Sequence, residues 1–392
     1  MDRRAAGYLP ALLLSLAAAL PAPRVDADPP SPLAPSRFAF PGASVAPPSA
    51  ASAGLALADR WLGDEPFFNP AMAAGLRLTA SPAMFRVSRQ DLRADNRNYN
   101  ETAAFFDGAG LAVGLPGLGR LGFALYAFQP VLRFEDAAYS RGRSTPDPDN
   151  PPAIIQTHAS AREARTGLAV SSRVGPGRIG VGVEWTHRAD VYEIVEHSGD
   201  PANAGTKRLE FSGDGLSLQA GARLDRGDSA AGALALGLAG RFLPALAVDA
   251  PHTEALIVGT AEETLHAERA SGWEVGGTAR MVVRPAVRVF ASAGGRTAQR
   301  WEGFDLRAGR VWEWKLAWEY HDVRDPWTLR FGLGQEFQSE VADPRAGVLG
   351  LGFGWQFSRA AVDAGVVHRT LARDAKPNSF DDRVVITVRV PR

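Results

Sequence analysis

The sequence predicts an all-β chain, an antiparallel transmembrane β-barrel of about fourteen strands, and three observations carry that expectation. Apolar and polar residues alternate with a period of two over most of the chain after residue 70. One face of that alternation is heavy in aromatic and branched side chains, while the other holds Gly, Ala and isolated charges. The connections between alternating windows are tight at every second position and longer and more polar at the others. Successive strand residues point to opposite faces, so a period of two is a strand signal.

The elements follow in chain order. Arg3 and Arg4 give a basic start, Tyr8 to Leu20 forms an apolar core, and Val25-Asp26-Ala27 places small residues at a cleavage site. Residues 1–27 therefore read as a secretory signal peptide; the apolar run stops at Pro21, short for a membrane span. Residues 28–73 form an N-terminal linker segment, rich in Pro, Ser and Ala over 28–48. Residues 74–392 form the barrel, in windows 74–90, 101–115, 119–136, 156–174, 177–197, 207–225, 229–248, 262–284, 286–301, 306–323, 327–341, 346–358, 360–372 and 382–391.

The clearest windows show why these are membrane strands. In Val311 to His321, Trp312, Trp314, Leu316, Trp318 and Tyr320 share one face, and Glu313, Lys315, Glu319 and His321 share the other. Leu349, Leu351, Phe353, Trp355 and Phe357 alternate with Gly350, Gly352, Gly354 and Gln356. A soluble sandwich would turn its apolar face to a second sheet and its polar face to water. Aromatics near strand ends and a small-residue opposite face instead match lipid outside and a lumen inside. Short links such as Gly175-Pro176 and Pro285 alternate with longer ones such as Asp91 to Asn100, Ala137 to Ile155, Asp249 to Ala261 and Arg373 to Asp381. That sorting is the outer-membrane layout, with both termini periplasmic.

Composition removes other classes. The chain has 43 basic and 43 acidic residues, so it has no electrostatic case for nucleic acid. It has no cysteine, which excludes disulfides, thiolate metal sites and a cysteine nucleophile. The seven histidines form no His-x-x-x-His pair, no Gly-x-Ser-x-Gly elbow is present, and Gly117, Gly119 and Gly122 precede no helix. The expectation is a protein that is not an enzyme, with no metal and no cofactor.

Residues 54–72 mix apolar and acidic residues and end in Asn69-Pro70-Ala71. Here the sequence resembles the FadL-like outer-membrane transporters of hydrophobic compounds (the OMPP/FadL/TodX type), with PorV-type barrels as a nearby alternative. The FadL resemblance implies a fourteen-stranded barrel whose N-terminal segment folds into the lumen as a hatch. It implies passive uptake of long-chain fatty acids or hydrocarbons; the PorV resemblance implies a barrel that binds secreted proteins, and a structural or small-solute porin is the third reading. Asn69-Pro70 must bend a hydrogen-bonded run. It serves either a hatch or a plain turn into the first strand. The terminal Val384 to Arg392 lacks the closing aromatic usual for bacterial barrels.

Charges on the small-residue face are the candidate lumen positions: Glu184, Arg188, Glu274, Arg280, Arg288, Glu313, Lys315, Arg330 and Glu336. They are expected to pair with one another or with Asp59, Arg60, Asp64 and Glu65. The expected partners are outer-membrane lipid, the barrel-assembly machinery and a hydrophobic small molecule, with the chain acting as a monomer in the outer membrane.

Overall fold

The computed structural model describes residues 50–62, 65–75, 78–94, 97–107, 110–118, 120–141, 153–198, 204–226, 232–256, 259–302, 307–308, 310–322, 324–339, 345–370 and 380–390. The expected signal peptide, residues 28–49 and Asp64 lie outside them.

Fourteen strands close into one antiparallel barrel. In order they are Leu78–Ala94; Arg97–Asp107 continued by Gly110–Leu118; Leu121–Arg141; Ala153–Val174; Gly177–Ser198; Gly205–Arg226; Leu234–Leu243 continued by Leu246–Leu256; Gly259–Arg269 continued by Gly272–Arg284; Val287–Arg296 continued by Gln299–Glu302; Arg307–Ala308 continued by Val311–Tyr320; Trp327–Gln338; Arg345–Gln356; Ala361–Thr370; and Phe380–Val390. Each pairs with its sequence neighbour, and the last pairs with the first from Leu78↔Val390 to Arg89↔Phe380. Closure leaves no free sheet edge, which is the condition for a sheet to stand in lipid.

The expected face assignment can be read off exposure. Val181, Val183 and Trp185 are exposed while Gly180, Gly182 and Glu184 between them are buried. Leu316 and Trp318 are exposed while Lys315, Ala317 and Glu319 are buried. Aromatic pairs mark the two ends of the same hairpin: Trp312 stacks on Phe337 with ring centroids 3.8 Å apart, and Tyr320 stacks on Trp327 at 5.1 Å. These positions suit girdles at the two lipid–water boundaries.

Several boundaries differ from the sequence expectation, among them the following. The segments Asp91 to Asn100 and Asp249 to Ala261 are mostly strand: the first strand runs to Ala94, the second starts at Arg97, and the ladder between the seventh and eighth continues to Leu256↔Gly259. Beyond the link expected at Arg226-Gly227-Asp228, whose last two residues lie outside the described ones, the next strand is described from Leu234. The first strand starts at Leu78 rather than residue 74, because Pro70–Gly75 winds into a 3-10 turn. The physical reason for the first difference is that a ladder satisfies its own backbone groups. It can continue into water with polar side chains, where side-chain polarity mimics a loop. The third to sixth strands are accordingly 21 or 22 residues long, against 10 to 12 in the last three. One side of the wall stands taller at the rim of the longer connections.

Residues 50–62 and 65–75 lie in the lumen against the inner wall. The segment opens with a helical turn, Ala50–Gly54, and closes with the 3-10 turn Pro70–Gly75. Trp61, Phe67 and Phe68 are buried among Ala112, Ala124, Tyr126 and Phe128 of the wall. Ala56 and Leu57 take positive φ values of 50° and 65°. Non-glycine residues hold that conformation only where surrounding contacts impose it.

Candidate functional site

The plug is seated on glycines. A Cβ at Gly180 would strike Pro70 and Ala71, one at Gly237 the Trp61 carbonyl, one at Gly276 the Trp61 indole, and one at Gly332 the Leu55 backbone. Gly350 meets Ala53 and Ala56, and Gly365 meets Ala50. These are lumen-facing strand positions, so the small-residue face read from the sequence is a track shaped to the plug backbone. Gly in a strand commonly marks such a close approach.

Asn69-Pro70-Ala71 has a specific role in that seat. The Asn69 side-chain oxygen accepts from the Ala71 N–H at 3.1 Å, and its carbonyl accepts from the Met72 N–H at 3.0 Å. Asn69 thus caps the 3-10 turn, and Pro70 occupies the first position, where a missing N–H costs nothing. The Asn69 amide donates to the Trp61 carbonyl at 2.7 Å and to the Ala222 carbonyl of the sixth strand at 3.2 Å. One side chain therefore caps a turn, closes the plug on itself and ties it to the wall. Other plug carbonyls are met by wall side chains: Ala58 by the Thr278 hydroxyl at 3.0 Å, Leu62 by Arg223 at 3.3 Å and Phe67 by Arg241.

A charge network joins plug and wall. Arg60 bridges Glu274 and lies 3.2 Å from Glu313, with its guanidinium 4.6 Å from the ring centres of both Trp61 and Phe68. Glu274 also accepts from Arg241 at 2.9 Å, and Arg241 reaches Glu184 at 2.6 Å. Tyr126 donates to Glu184 at 2.9 Å. Lys315 sits 2.8 Å from Glu313 and 3.7 Å from Glu336, and Arg369 bonds Glu336 at 2.6 Å. Arg330 pairs with Glu319 at 2.8 Å and Asp363 at 2.6 Å, and Arg288 pairs with Glu319 at 2.6 Å. Arg280 lies 3.8 Å from Asp225, and Arg188 holds Asp190 at 2.7 Å. Asp59 accepts from Ser52 at 2.6 Å; burial pushes its carboxyl up to about 6, against the opposing pull of that hydroxyl and of Arg330.

Thus Glu274 and Glu313 meet Arg60, while the other candidate charges pair along the wall. Sequence reasoning passed over Arg241, Glu163, Arg165, Tyr126 and Trp61. A usable signal existed for part of this: opposite charges two apart lie on one strand face, as in Glu163/Arg165, Arg188/Asp190 and Glu313/Lys315.

Toward the taller rim the lumen changes character. Tyr192, Leu209, Phe211, Leu246, Val248, Ala250 and Ala267 form a buried apolar cluster on the inner face of the fifth to eighth strands, joined by Ile194 and Leu265. Between this cluster and the plug lies a layer of charge that spans the barrel. Arg165 of the fourth strand is 3.9 Å from Glu274 of the eighth, and Glu163 of the fourth is 3.8 Å from Arg269 of the eighth. From the taller rim inward, the order is apolar cluster, charged layer, plug. Among the described residues no group of His, Asp or Glu could hold a metal ion.

No protein-family model and no curated protein sequence matches the chain. Solved structures do. A Pseudomonas aeruginosa FadL homologue superposes with a TM-score of 0.57 at 15% identity, covering 88% of this chain and 98% of that one. The CymD monoaromatic hydrocarbon channel gives 0.55 at 12%, covering 87% and 97%. The Ralstonia pickettii toluene transporter TbuX gives 0.54 at 11%, covering 88% and 98%. The chain has the FadL-like fold, a closed fourteen-stranded antiparallel barrel with an N-terminal plug in its lumen.

Proposed function

We propose that this protein is an outer-membrane channel for passive uptake of apolar small molecules, with residues 50–75 as its hatch. The observation that carries the reading is the lumen's arrangement: an apolar patch of inner wall near the taller rim, with a plug seated in a glycine track below it. A water-filled solute pore has no use for an apolar inner wall, whereas apolar cargo gains by leaving water for one. The fold likeness to channels described as carrying toluene and monoaromatic hydrocarbons points the same way. In this reading the chain is exported by its first 27 residues, inserted as a monomer by the barrel-assembly machinery, and keeps both termini in the periplasm. Uptake of radiolabelled palmitate and toluene is measured in cells with and without the protein. Faster entry of either supports the reading; unchanged entry of both, with faster entry of a small sugar, makes it a solute porin instead.

A further inference from the structure

We infer that the rim of short links binds anionic phospholipid headgroups through a ring of arginines, so that the barrel prefers phosphatidylglycerol-type lipid over zwitterionic lipid at that end. Six links lie at the rim where the first strand begins and the last ends: those joining strands two to three, four to five, and onward in pairs to twelve to thirteen. Each carries an exposed arginine: Arg120, Arg173, Arg226, Arg284, Arg324 and Arg359. Among the described residues of these links no carboxylate is exposed to match them. Asp225 is half-buried against Arg223 at 2.8 Å, and Asp322 accepts from Arg324 at 2.7 Å. Arg173 takes the lumen-facing parity of its strand, two residues from buried Ser171. The set left for lipid is Arg120, Arg226, Arg284 and Arg359, and none of the four is in an ion pair among the described residues.

Depth points to lipid as the partner. Arg120 precedes Leu121, Arg284 follows Val283, Arg226 shares a face with Leu224 two residues back, and Arg359 lies two residues past Phe357; all four apolar neighbours are exposed. Arg284 stands opposite Val287 after a bulge, which turns it to the outward side. Trp327 and Trp355, paired in register, mark the same level. Apolar side chains in hydrocarbon with a guanidinium one or two residues away set the charge at the depth of lipid phosphates. A guanidinium forks onto phosphate oxygens and keeps its charge at any working pH. A zwitterionic headgroup also brings an ammonium, and no exposed carboxylate is described at this rim to receive it, so a net-negative headgroup is favoured. With the rim of short links in the periplasm, as in the reading above, the lipid is that of the inner leaflet. The ring needs only the barrel and stands apart from what the lumen carries.

Relative lipid affinity is measured by tryptophan quenching of the full-length protein in phosphatidylcholine vesicles doped with brominated phosphatidylglycerol or brominated phosphatidylcholine. The wild type should favour phosphatidylglycerol about fivefold at low salt, the fold-change of about one arginine contact at a membrane surface, and less at about 1 M salt. Changing Arg120, Arg226, Arg284 and Arg359 together to Gln should bring the two lipids within about twofold, with heat-modifiable gel migration retained. Two pairwise variants, Arg120→Gln with Arg359→Gln and Arg226→Gln with Arg284→Gln, should each lose part of the preference, and they carry the test if the fourfold variant does not fold. Arg310→Gln with Arg345→Gln, exposed at the opposite rim, should keep all of it. Equal affinity for the two lipids in the wild type, an undiminished preference in the folded variants, or an equal loss in the opposite-rim variant overturns the arginine ring, and each leaves apolar uptake standing.

Discussion

A methyl group added at Gly276 should loosen the plug, while the same methyl at Gly277 should not. The two positions are adjacent in the eighth strand and face opposite sides of the wall. At Gly276 the new Cβ lands on the Trp61 indole. Trp61 is 2% exposed, packed edge-on against Phe68 with centroids 6.2 Å apart and covered by Arg60, so the ring has nowhere to go. At Gly277 the Cβ meets Leu238 Cδ2 at 2.6 Å, the far end of a side chain that is 62% exposed and can swing outward. Overpacking a filled site costs about 1–3 kcal/mol, which lowers plug docking about five- to 150-fold. Expelling Trp61 entirely would cost about 5 kcal/mol, from about 200 Å² at 25 cal/mol per Å², so the indole stays and the segment shifts. The chain has no cysteine, so Ser52→Cys supplies a single buried thiol in the plug. Maleimide labelling of that thiol reads the undocked population. Gly276→Ala should speed labelling about five- to 150-fold over the Ser52→Cys parent, and Gly277→Ala should stay within about twofold. Equal rates in the two variants would refute a glycine seat for Trp61.

Four further perturbations test the same architecture. Arg60→Ala should weaken docking by about 3 kcal/mol, the low end for a broken buried ion pair, because Arg241 and Lys315 still neutralise Glu274 and Glu313; hydrogen exchange of residues 55–62 measures it, and unchanged protection contradicts it. Asn69→Ala should cost about 1–2 kcal/mol by the same measurement, whereas Asn69→Ser should keep the cap to Ala71 and lose only the bonds to Trp61 and Ala222; identical losses would mean that the cap contributes nothing. Trp314→Arg should destabilise assembly by about 2–4 kcal/mol, since its face is lipid-exposed, while Lys315→Glu should disturb the plug by setting a third carboxylate beside Glu313 and Glu336; heat-modifiable migration separates a failed barrel from a loosened plug, and a normally migrating Trp314→Arg would argue against a lipid-facing position. Because the docked Asp59 carboxyl is raised to about 6 from an ordinary 3.8, docking binds a proton between those values: it is at its weakest and level above about 6, strengthens as pH falls from about 6 to about 3.8, and levels off below. Hydrogen exchange of residues 50–62, corrected for intrinsic pH dependence, should thus show more protection at pH 5 than at pH 8, and Asp59→Asn should flatten the difference.

Much of the barrel was legible because its pattern is local. Period-two alternation reports which face each residue takes whatever its neighbours are, so Trp312, Trp314 and Trp318 separate from Glu313, Lys315 and Glu319 within one window, and the strand count follows by repetition. The height of the wall was not legible. Residues 249–256 carry Asp249, His252 and Glu254 on a strand that stands beyond the apolar band, and a polar ladder in water resembles a loop in composition. The function of the small-residue face was only half legible: Gly350, Gly352 and Gly354 mark an inner wall, but nothing local says that Ala53 to Ala56 lies against it. Asn69-Pro70-Ala71 announced a bend, while its tie to Ala222 required the sixth strand to arrive beside it. The ion pairs followed the same division. Glu163 with Arg165, two residues apart on one strand, could be read in advance. Arg60 with Glu274 and Arg269 with Glu163 could not, because they cross a lumen that exists only once the fourteenth strand closes on the first.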